Sequence, residues 1–317
     1  MPHAADQVRR TPKISANKLR SMREAVADAV RPGDTLLIEG FTHLICFAAG
    51  HEIIRQGIGN LTAARLTPDL VYDQLLEAGL VKKMIFSWAG NPGVGSLHAL
   101  RRRSQKGAAG AVELEEYSHY GMVARLLAGS AGLPFWPLDN YMGSDIPGAN
   151  ALIKSVDCPY TGKKFATVPA LHPDVTIIHC QRSDREGNAQ VWGLLGTQKE
   201  AVFAAKRVIV VAEEIVETSL IRRDPNRTLV PGILVDHVVH EPWGCHPSYV
   251  QGHYDRDNDF YVKWEDISRE ASTYQDYLAE FVHGVKDRKG YLAKVGSGLM
   301  DRLRAKPRKC EGVDYGY

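Results

Sequence analysis

Along the chain, short runs of consecutive apolar residues alternate with stretches in which apolar residues recur every three or four positions. The second pattern puts apolar side chains on one face of a helix. The first is that of a strand buried on both sides. Residues 18–30 repeat Leu19, Met22, Ala25, Val26 and Ala29 at helical spacing, and the turn Arg31-Pro32-Gly33-Asp34 launches a strand over 35–38. A helix over 48–56 is stopped by Gly57 and Gly59, a strand covers 61–66, and a helix over 70–78 is closed by Gly79. Strands are predicted over 83–88 and 112–117, with a basic helix from Leu97 between them and a helix over 122–131 after them. Residues 143–167 are rich in Gly, Pro, Asp and Ser and are expected to form a long surface connection. The alternation then returns, with strands over 175–180, 207–212 and 235–240 and a helix over 199–206. No element is assigned beyond residue 240. Strand–helix–strand units with short connections predict an α/β fold, an open and mainly parallel sheet with helices on both faces. One domain is expected over 15–300, between a disordered N-terminal extension (1–14) and a loosely tied C-terminal tail (301–317).

Composition narrows the function classes. The 317 residues are 44% apolar and 24% charged with a net charge of +2, so there is no basic surface to suggest nucleic acid or an anionic membrane. No apolar run is long enough to span a bilayer, and the first 13 residues lack the apolar centre of a secretory signal. A cytoplasmic location is the expectation. The five cysteines (Cys46, Cys158, Cys180, Cys245, Cys310) are irregularly and widely spaced with no CxxC pair. That predicts reduced thiols and no metal site.

In an open α/β sheet, ligands gather at the carboxyl ends of the strands. The first strand runs into Gly40-Phe41-Thr42-His43 and the fourth into Ser118-His119. A lone histidine more often satisfies a buried backbone group than a substrate, but two at strand carboxyl ends point toward a site. The loop Gly90-Asn91-Pro92-Gly93-Val94-Gly95-Ser96 has two readings: amides presented to a phosphate or carboxylate, or a purely structural tight turn. It is neither a P-loop nor a dinucleotide fingerprint. His179-Cys180-Gln181-Arg182 closes another strand, and residues 184–193 have the form of a hairpin-like excursion. The segment 244–247 and the acidic run 255–259 read as loops, the latter as a solvated face. No GxSxG elbow is present.

The ordered landmarks GDTLLIEGFTHL, FSWAGNPGVGSLH, LEEYSH with GLPF, CPYTG, VPALHPDVTIIHCQR with DREGN, AKRVIVVAEEIV, and GCHPSY with YDRDNDFY span roughly 21–295. Together they resemble the A subunits of the glutamate-type CoA-transferases, those of 3-oxoadipate and of glutaconate, with the 3-oxoadipate type the nearer match. The resemblance implies an open, NagB/RpiA-like α/β fold. It implies transfer of CoA from succinyl-CoA to a 3-oxo dicarboxylic acid such as 3-oxoadipate, with CoA thioesters as substrates and no cofactor. It also implies that the partner is a beta subunit, in an A2B2 tetramer. The family nucleophile is a glutamate of the B subunit within Ser-Glu-Asn-Gly, a motif this chain lacks, so no catalytic residue is expected here. Glu39 stands where the family usually has glycine, and Glu213-Glu214 lack the motif's context.

Carried over residue by residue, the resemblance implies a substrate-binding set of Gly40, Phe41, Thr42, His43, Asn91, Gly93, Ser118, His119, Gly143 and Ser144. His119 matches a substrate-side glutamine, and both His43 and His119 are expected to donate hydrogen bonds to substrate oxygens. Ile45-Cys46-Phe47 replaces the proline-containing end of the usual signature, and Pro92 replaces a serine of the glutaconate enzymes. Three other readings remain: a glutaconate-type transferase, an acyl-CoA hydrolase acting on a ring-cleavage product, and a non-catalytic subunit that binds CoA esters.

Overall fold

The computed structural model describes residues 12–306 apart from 106, 109 and 142. Most of the expected N-terminal extension (1–11) and most of the tail (307–317) lie outside the described residues. The first four strands are β1 (Thr35–Glu39), β2 (Leu61–Ala64), β3 (Val81–Phe86) and β4 (Glu113–Glu116). Next come β5 (Phe135–Leu138), β6 (Lys154–Asp157) and β7 (Lys164–Pro169). The last five are β8 (Val175–Ser183), β9 (Ala189–Gln190), β10 (Arg207–Ile215), β11 (Thr228–Val230) and β12 (His237–His240).

Seven of these strands run parallel in the order β12-β10-β8-β1-β2-β3-β4. The predicted parallel sheet is therefore present. The chain crosses from β1 outward to β4 and returns on the other side of β1 as β8, so the strand order reverses between β1 and β8. β8 and β10 outrun β1 by several residues, and there β9 folds back antiparallel on Arg182 and Ser183, with β11 added to it. This is the hairpin-like excursion expected after residue 183.

Side chains alternate between faces along a strand, and both faces of β1 are covered. Leu36 and Ile38 pack with the helices Met22–Ala29, Phe47–Gln56 and Leu70–Glu77. Leu37 packs on the opposite face with the helices His119–Ala131 and Gln198–Ala204. All three side chains are fully buried, which explains why β1 reads as an uninterrupted apolar run.

Four expectations are corrected. Residues 143–167 are more than a connection: they hold the short helix Ile146–Ala149, all of β6 and part of β7. β5, β7 and β6 form a separate antiparallel sheet, whose β6 is exposed at all four positions and so shows no apolar alternation. Second, the chain beyond 257 is helical, over Asn258–Arg269, Ala271–Leu278, Arg288–Val295 and Ser297–Leu303. The first two bury Tyr261, Trp264, Tyr274 and Tyr277 against the core. Third, the acidic run is no solvated face: Asp257 is buried, caps the helix Asn258–Arg269 through the Phe260 amide at 3.1 Å and pairs with His246. The start of the tail is also tied down, because the Leu303 carbonyl accepts from the Asp255 amide at 2.7 Å. The four described cysteines are free thiols.

Candidate functional site

β1 pairs with β2 only at Thr35 and Leu36. Beyond that the buried Tyr72 hydroxyl steps in, accepting from the Ile38 amide at 2.8 Å and donating to the Ala64 carbonyl at 3.0 Å. The carboxyl ends of β1 and β2 therefore splay, and the chain after β1 turns back on itself. A Cβ on Gly40 would stand 2.6 Å from the Leu44 carbonyl oxygen, so only glycine fits there. Thr42 and Leu44 hold left-handed φ values of 53° and 60°. This strained turn is fastened from outside. Ser248 donates to the Thr42 carbonyl at 2.9 Å, and Leu44 donates to the Tyr249 carbonyl.

His43 is part of the fastening. It is fully buried, its Nε2 accepts from the Gln251 amide at 2.9 Å, and its Nδ1–H donates to the Leu194 carbonyl at 3.1 Å. Burial lowers its pKa to about 4, so the ring is neutral. Neither nitrogen is left for a ligand, which corrects the expectation that His43 donates to substrate.

His119 differs. It is exposed at the end of β4, its ring lies edge-on to Phe41 with centroids 6.3 Å apart, and its Nδ1 meets the Ser87 hydroxyl at 3.1 Å. Ser87 gives its own proton to the Leu66 carbonyl at 2.6 Å, so Nδ1 carries the hydrogen toward Ser87. Nε2 remains free, an acceptor in the neutral ring and a donor once the ring is protonated. Phe41, Ser87 and His119 thus meet across the ends of β1, β3 and β4.

The other expected residues do not all join them. Ser118 caps the helix His119–Ala131, accepting from the Gly121 amide at 3.0 Å and from Asn140 Nδ2 at 2.9 Å. The loop around Asn91 is the tight turn. The Asn91 amide donates to the Gly95 carbonyl, the Val94 and Gly95 amides donate to the Asn91 carbonyl, and Ser96 donates to Glu265. Those four amides are spent within the turn or on Glu265 and are not free for an anion. Asn91 itself is buried and donates through Nδ2 to the Tyr261 carbonyl at 2.8 Å. Gly93 is exposed at φ 75°. Gly143 (φ 82°) and Ser144 are exposed on a turn, where the Ser144 hydroxyl accepts from the Ile146 amide.

Two buried charge clusters lie beneath the strand ends. Arg65, 1% exposed, donates to the Gly40 carbonyl and pairs with Asp69 at 3.1 Å. Glu39, 2% exposed, accepts from the Thr197 amide at 3.4 Å. Burial raises the pKa of Glu39 and of Asp69 against the opposing pull of Arg65. At the end of β10, burial would raise the pKa of Glu213. Hydrogen bonds from His179 (2.8 Å), Tyr254 (2.7 Å) and the Trp243 amide (2.8 Å) nevertheless hold it below the usual carboxylate range. Arg65, Ser87 and Thr197 escaped the sequence reading. A lone cation closing a strand and followed four residues later by Asp69 was the available signal. Among the described residues no three His, Cys, Asp or Glu side chains converge as a metal site, and no helix is long and apolar enough to cross a membrane.

The profile of the coenzyme A transferase family matches residues 19–241. The A subunit of 3-oxoadipate CoA-transferase from Pseudomonas knackmussii is 49% identical over 281 residues, 89% of this chain and 99% of that protein. The A subunit of glutaconate CoA-transferase from Acidaminococcus fermentans is 33% identical over 92% of this chain and 96% of that protein. The crystal structure of glutaconate CoA-transferase from the same organism superposes with a TM-score of 0.87 at 32% identity, over 92% of this chain and 96% of that one.

Proposed function

Because this chain belongs to the coenzyme A transferase family, we propose that it is one half of a two-subunit enzyme, the A subunit, moving CoA from succinyl-CoA to a 3-oxo dicarboxylic acid of the 3-oxoadipate kind. The substrate class is supported by the 49% identity to a protein that bears that name. The two-subunit part rests on one observation: the carboxylates buried at the strand ends are either paired or enclosed away from solvent. Asp69 is paired with Arg65, Glu213 takes three hydrogen bonds, and Glu39 is enclosed against Thr197. A carboxylate nucleophile must be ionised and within reach of the thioester.

In this reading a glutamate of the partner attacks the thioester carbonyl, the C–S bond breaks and CoA leaves as thiolate. The thiolate then attacks the glutamyl carbonyl of the anhydride, releasing succinate and leaving CoA on the glutamate. The acceptor carboxylate runs both steps in reverse. This chain contributes the turn Gly40–His43, with Phe41 and His119 facing the acyl group and His119 Nε2, in the protonated ring, donating to one of its oxygens. Closure against the partner strips water from the attacking carboxylate. No cofactor beyond the CoA thioesters takes part.

The test is to incubate the purified subunit pair with succinyl-CoA and 3-oxoadipate. The expected result is 3-oxoadipyl-CoA and succinate in equal amounts. Release of free CoA without an acceptor would make the protein a hydrolase, and tight acyl-CoA binding without turnover would make it a binding subunit. Either outcome overturns the proposal.

A further inference from the structure

Glu39 is a carboxylate in a place that offers it little. It closes β1, is almost wholly buried, has its Oε1 on the Thr197 amide and leaves Oε2 without a partner. A Cβ on Gly196 would lie 3.0 Å from that Oε1 and 3.0 Å from the Phe41 Cβ. The end of β1, the Phe41 turn and the segment before Thr197 are therefore packed directly on one another. That segment reads Gly193-Leu194-Leu195-Gly196, with Leu194 and Leu195 37% and 48% exposed. Its second attachment is the His43 bond to the Leu194 carbonyl. Glu39 and His43 thus fasten the segment from two points to the turn that carries Phe41, while Arg65 holds the Gly40 carbonyl.

We propose that Glu39 is a positioning residue, which seats the 193–197 segment and Phe41 at the transfer site by accepting from Thr197 and takes no covalent part in transfer. Its kinetic consequence rests on the CoA-transfer reading above; its structural consequence does not. An accepting oxygen is all the role requires, and a carboxamide of the same shape supplies one. A nucleophile, by contrast, tolerates no such exchange.

The experiment compares Glu39→Gln and Glu39→Ala with the parent, each purified together with its partner. Amide hydrogen exchange is read over 193–198, and kcat and KM are read for CoA transfer. The alanine variant should speed exchange of the segment and lower kcat about tenfold, the scale of a small misplacement at a reacting centre. The glutamine variant should restore both toward the parent. Thr197→Pro removes the donor and leaves Glu39 intact, so it should reproduce the faster exchange even if the alanine variant fails to fold. A glutamine variant that exchanges like the parent yet loses transfer would make the carboxylate itself chemical and overturn the proposal. Unchanged exchange in both Glu39→Ala and Thr197→Pro would also overturn it. If the parent complex transfers no CoA, the functional reading falls, and the exchange data still decide the role of Glu39.

Discussion

His43 and His119 look equivalent in the sequence, each polar at the end of an apolar strand, and their surroundings separate them. Folding keeps His43 neutral with a pKa of about 4, while the unfolded chain titrates near the ordinary value of 6.5. Below pH 6.5 the unfolded state therefore binds the extra proton, and stability falls with pH until the folded ring titrates near 4. At about 1.4 kcal/mol per pKa unit, this one ring accounts for up to about 3 kcal/mol across that window. Urea unfolding at pH 7 and pH 4.5 should show His43→Gln losing less stability on acidification than the parent. Equal losses would show that His43 titrates normally. Other buried rings whose pKa is lowered, His51 and His246 among them, supply the remaining slope. His119 is exposed and faces Phe41 and Ser87. His119→Ala should leave the Tm near the parent's and reduce turnover at least about tenfold, the scale of losing one donor to a developing oxyanion. A variant with a lowered Tm and normal turnover per folded site would take His119 out of the site.

Among the elements, β1 was legible because Leu36, Leu37 and Ile38 are aliphatic on both of its buried faces, and Gly40 was legible as the end of that run. What fastens Gly40–His43 was not, because Leu194, Ser248 and Gln251 come from more than 150 residues away and contact order is invisible to local pattern. The loop at Asn91 kept two readings for a related reason: glycine content reveals a turn but not whether its amides are free. The helices beyond 257 were missed because their buried positions are mainly aromatic. Trp264 is fully buried, stacked on Phe260 at 5.5 Å and flanked edge-on by Tyr274 and Tyr277 at 5.0 Å each. Such rings fill a large volume with few periodic residues. Trp264→Ala should therefore cost about 3–5 kcal/mol in unfolding free energy. Trp264→Phe should cost clearly less, because it also removes an indole N–H that has no partner. Similar denaturation midpoints for both variants would mean that the ring cluster does not anchor these helices.

At the scale of the whole molecule, seven parallel strands bring their carboxyl ends to one side, where the order reverses next to β1 and a crevice is expected. That side carries exposed aromatic and aliphatic groups. Trp88 follows β3 and is 49% exposed, Tyr120 follows β4 and is 51% exposed, and Leu194 and Leu195 lie beside the Phe41 turn. Apolar groups gathered at a site whose buried carboxylates are paired or enclosed fit a surface that a second subunit closes. The apolar character and permanence of such an interface go together. Two measurements check this half-site. Oxidative footprinting should show Trp88 protected in the purified pair relative to this chain alone. Borohydride trapping of the enzyme-CoA thioester, which reduces the glutamyl thioester to an alcohol and frees CoA, should mark a glutamate of the partner and none in this chain. A reduced residue at Glu39, Glu213 or Glu214, or full transfer by this chain without a partner, would place the nucleophile here. The geometry argues against that outcome, since each step of transfer needs a carboxylate that can reach a thioester carbonyl. Glu213 would have to break three hydrogen bonds in the protein interior to do so, and Glu39 would have to leave its enclosure.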